Sequence, residues 1–144
     1  MSIEKLIING LNDSIRFEEG EQWRFCRENS YYLVSSHGRV FSLRLRDILK
    51  PFLKVYPNNP TTPNRYERVG LYLNGERKNF YVHRLVASAF LGLPIRSRRH
   101  CHHRDGNKRR NHVQNLEILT SKQHKKLHRE MHVGDDACIA SITA

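Results

Sequence analysis

The order of apolar and polar positions divides the chain into stretches of different period. Residues 1–20 mix short apolar runs with Gly10, Asn12, Asp13 and Gly20 and keep no sustained period, so they read as a loosely ordered leader of unclear role. From Trp23 onward the pattern is strand-like. Tyr31, Leu33 and Val34 lead to the polar turn Ser35-Ser36-His37-Gly38, and Val40-Phe41-Ser42-Leu43 follows, which predicts a small hairpin inside a β-rich module over residues 21–60. The stretch from Lys54 to Asn64 is crowded with breakers, Pro57, Pro60 and Pro63 among paired Asn and Thr, and is expected to be a surface loop that separates the modules.

Arg68 to Leu73 and Arg77 to Val82 are β-rich runs joined by Asn74-Gly75, a dipeptide suited to the positive φ angles of a two-residue hairpin turn. The period then changes: Val82, Leu85, Val86, Ala89 and Phe90 share one helical stripe, stopped by Gly92 and Pro94. A connector with Arg96, Arg98 and Arg99 leads to Cys101-His102-His103, a turn at Asp105-Gly106-Asn107, and a short strand from Asn115 to Leu119. Thr120 or Ser121 can cap a final helix reaching about Met131. The expected fold class is α+β, with small antiparallel hairpins followed by a strand, loop, strand, helix unit. That unit lies in a domain over residues 65–131, and residues 132–144 form an acidic tail.

A chain of 144 residues and 17.0 kDa has room for one domain or two modules sharing a core, and it is too short for an α/β barrel. Charge changes the picture. Lys and Arg number 25 against 14 Asp and Glu, a net +11, which points to a polyanionic partner. The excess is concentrated: residues 96–129 carry a net +9, together with six of the nine histidines, His100, His102, His103, His112, His124 and His128. Cys26, Cys101 and Cys138 form no CxxC pair, which argues against a disulfide framework or a cysteine zinc knuckle. With neither a long apolar run nor a signal-peptide pattern, the expected location is the cytoplasm, with no membrane partner.

His124 and His128 stand four apart, so in a helix their imidazoles leave one face and can share a metal, although a solvated basic face would look the same. Neighbouring His102 and His103 point to opposite faces of a strand, so one can meet the helix while the other faces elsewhere.

His102-His103-Arg104-Asp105-Gly106-Asn107-Lys108, then Asn115-Leu116, then His124 and His128 resemble the HNH nuclease family and its ββα-metal motif. Upstream, Val82-His83-Arg84-Leu85-Val86-Ala87 is similar to the lead-in helix of HNH homing endonucleases of phages and mobile introns. The segment from Tyr32 to Leu43 is similar to the small module that often precedes that domain, so the resemblance covers residues 21 to 130. It implies His103 as general base, Asn115 as the residue holding its imidazole, and His102, His124 and His128 as ligands of one divalent ion. Relatives often place Asp or Asn at some ligand positions. Three histidines suit Zn²⁺, Mn²⁺ or Ni²⁺ better than Mg²⁺, yet the resemblance favours Mg²⁺ in the cell.

What the resemblance implies is a metal-dependent endonuclease of double-stranded DNA, leaving 5′-phosphate and 3′-hydroxyl ends, in a bacterial host cell if phage- or intron-encoded. The alternative is a non-catalytic nucleic-acid-binding module whose histidines hold a structural zinc. Phosphate contacts are expected from Arg96, Arg98, Arg99, Lys108, Arg109, Arg110, Lys122, Lys125 and Lys126, with Arg39 and Arg84 extending the footprint. One motif supplies one active site per chain, so a double-strand break needs a homodimer or two sequential events.

Overall fold

The computed structural model describes residues 1–54, 58 and 66–132. The proline-rich loop through Pro57, Pro60 and Pro63, Arg65, Cys138 and the acidic tail from residue 133 lie outside the described residues. The order of elements begins with helix α1 (Ile3–Leu11) and strands β1 (Trp23–Phe25), β2 (Tyr32–Ser35), β3 (Val40–Ser42) and β4 (Asp47–Ile48). Strands β5 (Phe52–Leu53), β6 (Glu67–Leu73) and β7 (Glu76–Tyr81) lead to helix α2 (Val82–Leu91). Strands β8 (His100–His103) and β9 (Leu116–Leu119) and helix α3 (Ser121–His132) complete it. All strand pairs are antiparallel, in sheets β1-β2-β3-β4, β5-β6-β7 and β8-β9.

The α+β expectation holds, and so does the ββα unit at the end. Leu73 pairs with Glu76 across Asn74 and Gly75, whose φ angles of 52° and 81° are those the two-residue turn requires. Thr120 caps α3 reciprocally: its Oγ1 accepts from the Gln123 N–H, and Gln123 Oε1 accepts from the Thr120 N–H.

The leader reading is corrected for residues 3–11. Ser2 Oγ accepts from the Lys5 N–H, Glu4 sits in the positive first turn, and a helix forms that buries Ile8 completely against Trp23, Leu33 and Phe41. Strand β2 explains why both modules fold together. Alternate side chains leave a strand on opposite faces, so Leu33 enters this first core while Tyr32 and Val34 enter a second one with Val69, Leu71, Val82, Leu85, Val86 and Leu116. With both faces covered, all four β2 residues are buried. Helix α2 contributes most to the second core and packs against β1, β2 and β6 to β9, which makes it the platform beneath the histidine strand.

Candidate active site

Strand β8 pairs in register with β9, His100 opposite Leu119 and His103 opposite Leu116. Its alternation sends His103 and Cys101 toward α2 and His100 and His102 toward α3, as the contacts show. Cys101 Sγ lies 3.8 Å from the His83 carbonyl oxygen, and the His103 ring lies 5.0 Å from the His83 ring. On the other face, His100 stacks flat on His124 at 4.2 Å and His102 meets His124 edge-on at 6.0 Å. His124 and His128, one helical turn apart, bring their Nε2 atoms to 3.1 Å. A cavity of about 160 Å³ joins the faces, lined by Tyr66, Tyr81, His83, Arg84, His102, His103, Lys108 and His124 among others.

His103 is buried, and its Nε2 stands 2.9 Å from Asn111 Oδ1. A carboxamide oxygen only accepts, so Nε2 carries the proton and Nδ1 the lone pair. Burial pushes the His103 imidazole below its ordinary value, while the hydrogen bond to Asn111 pulls the other way. His83 is driven down to about 3, chiefly by burial and then by His103 and Arg84, and its Nδ1 has no hydrogen-bond partner among the described residues. Burial also raises the Cys101 thiol to about 12, and its side chain faces α2 and not the imidazole cluster on α3. His124 is lowered to about 4 by burial and by the neighbouring His100, His128 and His102. A neutral imidazole keeps the lone pair that a metal binds, and imidazole is a donor type suited to a borderline divalent ion. Among the described residues, Glu18, Glu21 and His37 are the one group of three or more donors whose ligand atoms all lie within 4.8 Å of one another; His102, His124 and His128 do not form such a group. Glu21 there is already saturated by Arg39, Ser35 and the Glu18 N–H.

Several sequence expectations change in place or partner. Asn115 does not touch His103: its Nδ2 donates to Asp105 Oδ1 and to the Arg110 carbonyl, and its Oδ1 accepts from the Asp105 N–H, so it shapes the loop between β8 and β9. The asparagine on the imidazole is Asn111. Lys108 is buried with its Nζ 4.7 Å from the Tyr66 ring centre, so its charge faces the cavity rather than open solvent. Arg39 forms an ion pair with the buried Glu21, Nε donating at 2.9 Å to Oε2, and its Nη2 also donates to the Arg16 carbonyl, which commits it to structure. Arg84 lines the cavity and donates through Nη2 to the Arg99 carbonyl, and its Nη1 has no hydrogen-bond partner among the described residues.

Arg96, Arg98, Arg99, Arg109, Arg110, Lys122, Lys125 and Lys126 are exposed around this face, with Arg110 paired to Asp105 at 3.1 Å. Asn111 and Glu67 were not singled out by sequence reasoning, and His100 and His83 were named there without a role in the site. The available signal for His83 was a histidine beside Val82 in a mainly apolar helix.

A histidine strand paired to a second strand and covered by a histidine-bearing helix defines the ββα class of nucleases. Residues 80–126 match the sequence model of the HNH endonuclease family, and the chain belongs to that family. It is 35% identical over 97 residues to the DNA endonuclease I-HmuI of Bacillus phage SP01, 64% of this chain and 48% of that protein. It is 36% identical over 95 residues to an uncharacterized HNH endonuclease of Acanthamoeba polyphaga mimivirus, 66% of this chain and 26% of that protein. The solved structure of the HNH homing endonuclease I-HmuI, which concerns its DNA binding and cleavage, superposes with a TM-score of 0.62 at 28% identity. The superposition covers 84% of this chain and 65% of that one. The chain thus spans about half the length of I-HmuI and about a quarter of the mimivirus protein. No helix among the described residues is long and apolar enough to cross a membrane.

Proposed function

We propose that this chain is a metal-dependent endonuclease that hydrolyses phosphodiester bonds of double-stranded DNA, with His103 as general base. The observation that carries this reading is the division of labour across β8. One histidine faces a cavity with a defined protonation pattern, and its neighbour faces an imidazole cluster on α3. His103 Nδ1 accepts a proton from water as the water oxygen bonds to phosphorus. The bond from phosphorus to the 3′ oxygen breaks, leaving a 5′-phosphate, and that oxygen takes a proton from solvent to become the 3′-hydroxyl. His102, His124 and His128 would hold a divalent ion, which when bound would supply positive charge for the scissile phosphate and the leaving oxygen. Arg84 and Lys108 add cationic charge at the cavity wall, and the exposed arginines and lysines hold flanking phosphates, which makes binding salt-dependent.

Cleavage of supercoiled plasmid by wild type and His103→Ala in EDTA, Mg²⁺, Mn²⁺ or Zn²⁺, with a gel shift in EDTA, tests the reading. Metal-dependent cutting that disappears in the variant while binding persists is the expected result. Binding without cutting in any ion by either protein overturns it in favour of a zinc-held binding module.

A further inference from the structure

The Asn111 side chain is buried between two partners that specify opposite ends of its amide. Nδ2 donates to Glu67 Oε2 at 3.2 Å, and Oδ1 faces His103 Nε2 at 2.9 Å. Ionised, the Glu67 carboxylate has no proton to give, so it requires the NH₂ end and the oxygen is left for His103. Glu67 opens β6, where it pairs with Leu53 of β5; burial raises its carboxyl, and Arg109 and the hydrogen bond from Asn111 oppose that rise. From the other side, the Gly38 backbone closes on Asn111: a Cβ built at Gly38 would lie 2.8 Å from Asn111 Cβ. Gly38 also has φ of 91°, so a side chain there is excluded twice. The Val113 N–H donates to the Ser36 carbonyl at 2.8 Å, tying the same turn to the same loop.

We propose that Asn111, oriented by Glu67 and backed by Gly38, is the positioning residue that fixes the tautomer of His103. This inference rests on His103 being the general base. An imidazole free to exchange its N–H between nitrogens would spend part of its time with Nδ1 protonated and unable to accept from water. The amide held by Glu67 removes that state, because an inverted tautomer would leave the Asn111 oxygen buried without its donor.

The test combines kinetics with the long-range ¹H–¹⁵N spectrum of His103, which distinguishes the two neutral tautomers. Asn111→Ala is expected to lower kcat about 10- to 100-fold with KM and DNA affinity in EDTA unchanged. It should also turn the single Nε2–H pattern of His103 into a mixture. The pair Asn111→Asp with Glu67→Gln moves the charge one step inward, keeps a donor on residue 67 and an acceptor on residue 111, and is expected to restore the pattern and most of kcat. Should Asn111→Ala fold poorly, this pair and Glu67→Ala alone, which frees the amide to flip, carry the test. If His103→Ala abolishes cleavage but the Asn111 variants cleave like wild type, or lose kcat with the tautomer unmoved, the positioning role is overturned and the base survives. If His103→Ala itself still cleaves, the base reading falls, and this inference falls with it.

Discussion

The two faces of β8 carry the same side chain in opposite circumstances. On the α2 side, His103 is buried and hydrogen-bonded to Asn111. On the α3 side, the rings of His100, His102 and His128 each meet that of His124, and burial lowers the His102 imidazole against the opposing pull of Glu117. The protein supplies everything the first face needs. The second is a set of donors whose mutual repulsion when protonated is relieved by keeping lone pairs, and lone pairs are what a cation shares. On the proposed reading, proton and metal chemistry would be separated by the strand's two-residue period alone.

The largest break in this comparison is chemical. Alanine at His103 is expected to cost about 10²- to 10⁴-fold in cleavage rate at every metal concentration, since no added ion replaces a base. Alanine at His124 is expected to weaken metal affinity about 10- to 100-fold, with activity recovering as metal is raised. A metal titration of cleavage for both variants separates the faces; recovery of His103→Ala with metal would merge them.

A packing change outside both faces sets the scale for stability. Phe41→Ala in the core shared with α1 is expected to destabilise by about 3–5 kcal/mol in urea unfolding. Next comes acid. His83 faces Tyr66, Tyr81, His103 and Arg84, and its folded value of about 3 lies below the ordinary 6.5. Between those values the unfolded chain binds the proton and the folded chain does not, so stability rises with pH through this window and levels above it, by up to ~1.4 kcal/mol per pH unit. Urea midpoints measured from about pH 7.5 down to 5 should fall, and fall less in His83→Leu; an equal slope in that variant removes the assignment. At the small end, Lys126→Ala is expected to change stability by less than about 0.5 kcal/mol, because its partner Glu130 is 4.0 Å away and both are exposed.

Much of the nuclease half was legible because its signals are local. Asn74-Gly75 names its own turn, the stripe from Val82 to Phe90 names its own helix, and Thr120 with Gln123 names its own cap. What escaped depends on contacts between distant positions. Helix α1 is nine residues long with Ile8 as its one buried residue, too short a stripe to show a period. Arg39 looked like a phosphate ligand until Glu21 folded beneath it. Two asparagines, Asn111 and Asn115, stand four apart in one loop; only the fold tells that the first meets His103 and the second braces Asp105 and Arg110. Lys108 was read as surface because nothing in its neighbours announces the Tyr66 ring it covers.

The close approach of Gly38 to Asn111 has a consequence for anyone treating such modules as interchangeable parts. The seam between the front module and the nuclease passes within one side chain of the proposed base, so a nuclease half separated from its own front module would not be a portable cutting cassette. A chimaera that swaps in a foreign recognition module should cut only where the graft keeps a side-chain-free residue at position 38 and a carbonyl at position 36 to receive the Val113 N–H. The heritable unit here is the nuclease together with the turn that leans on it.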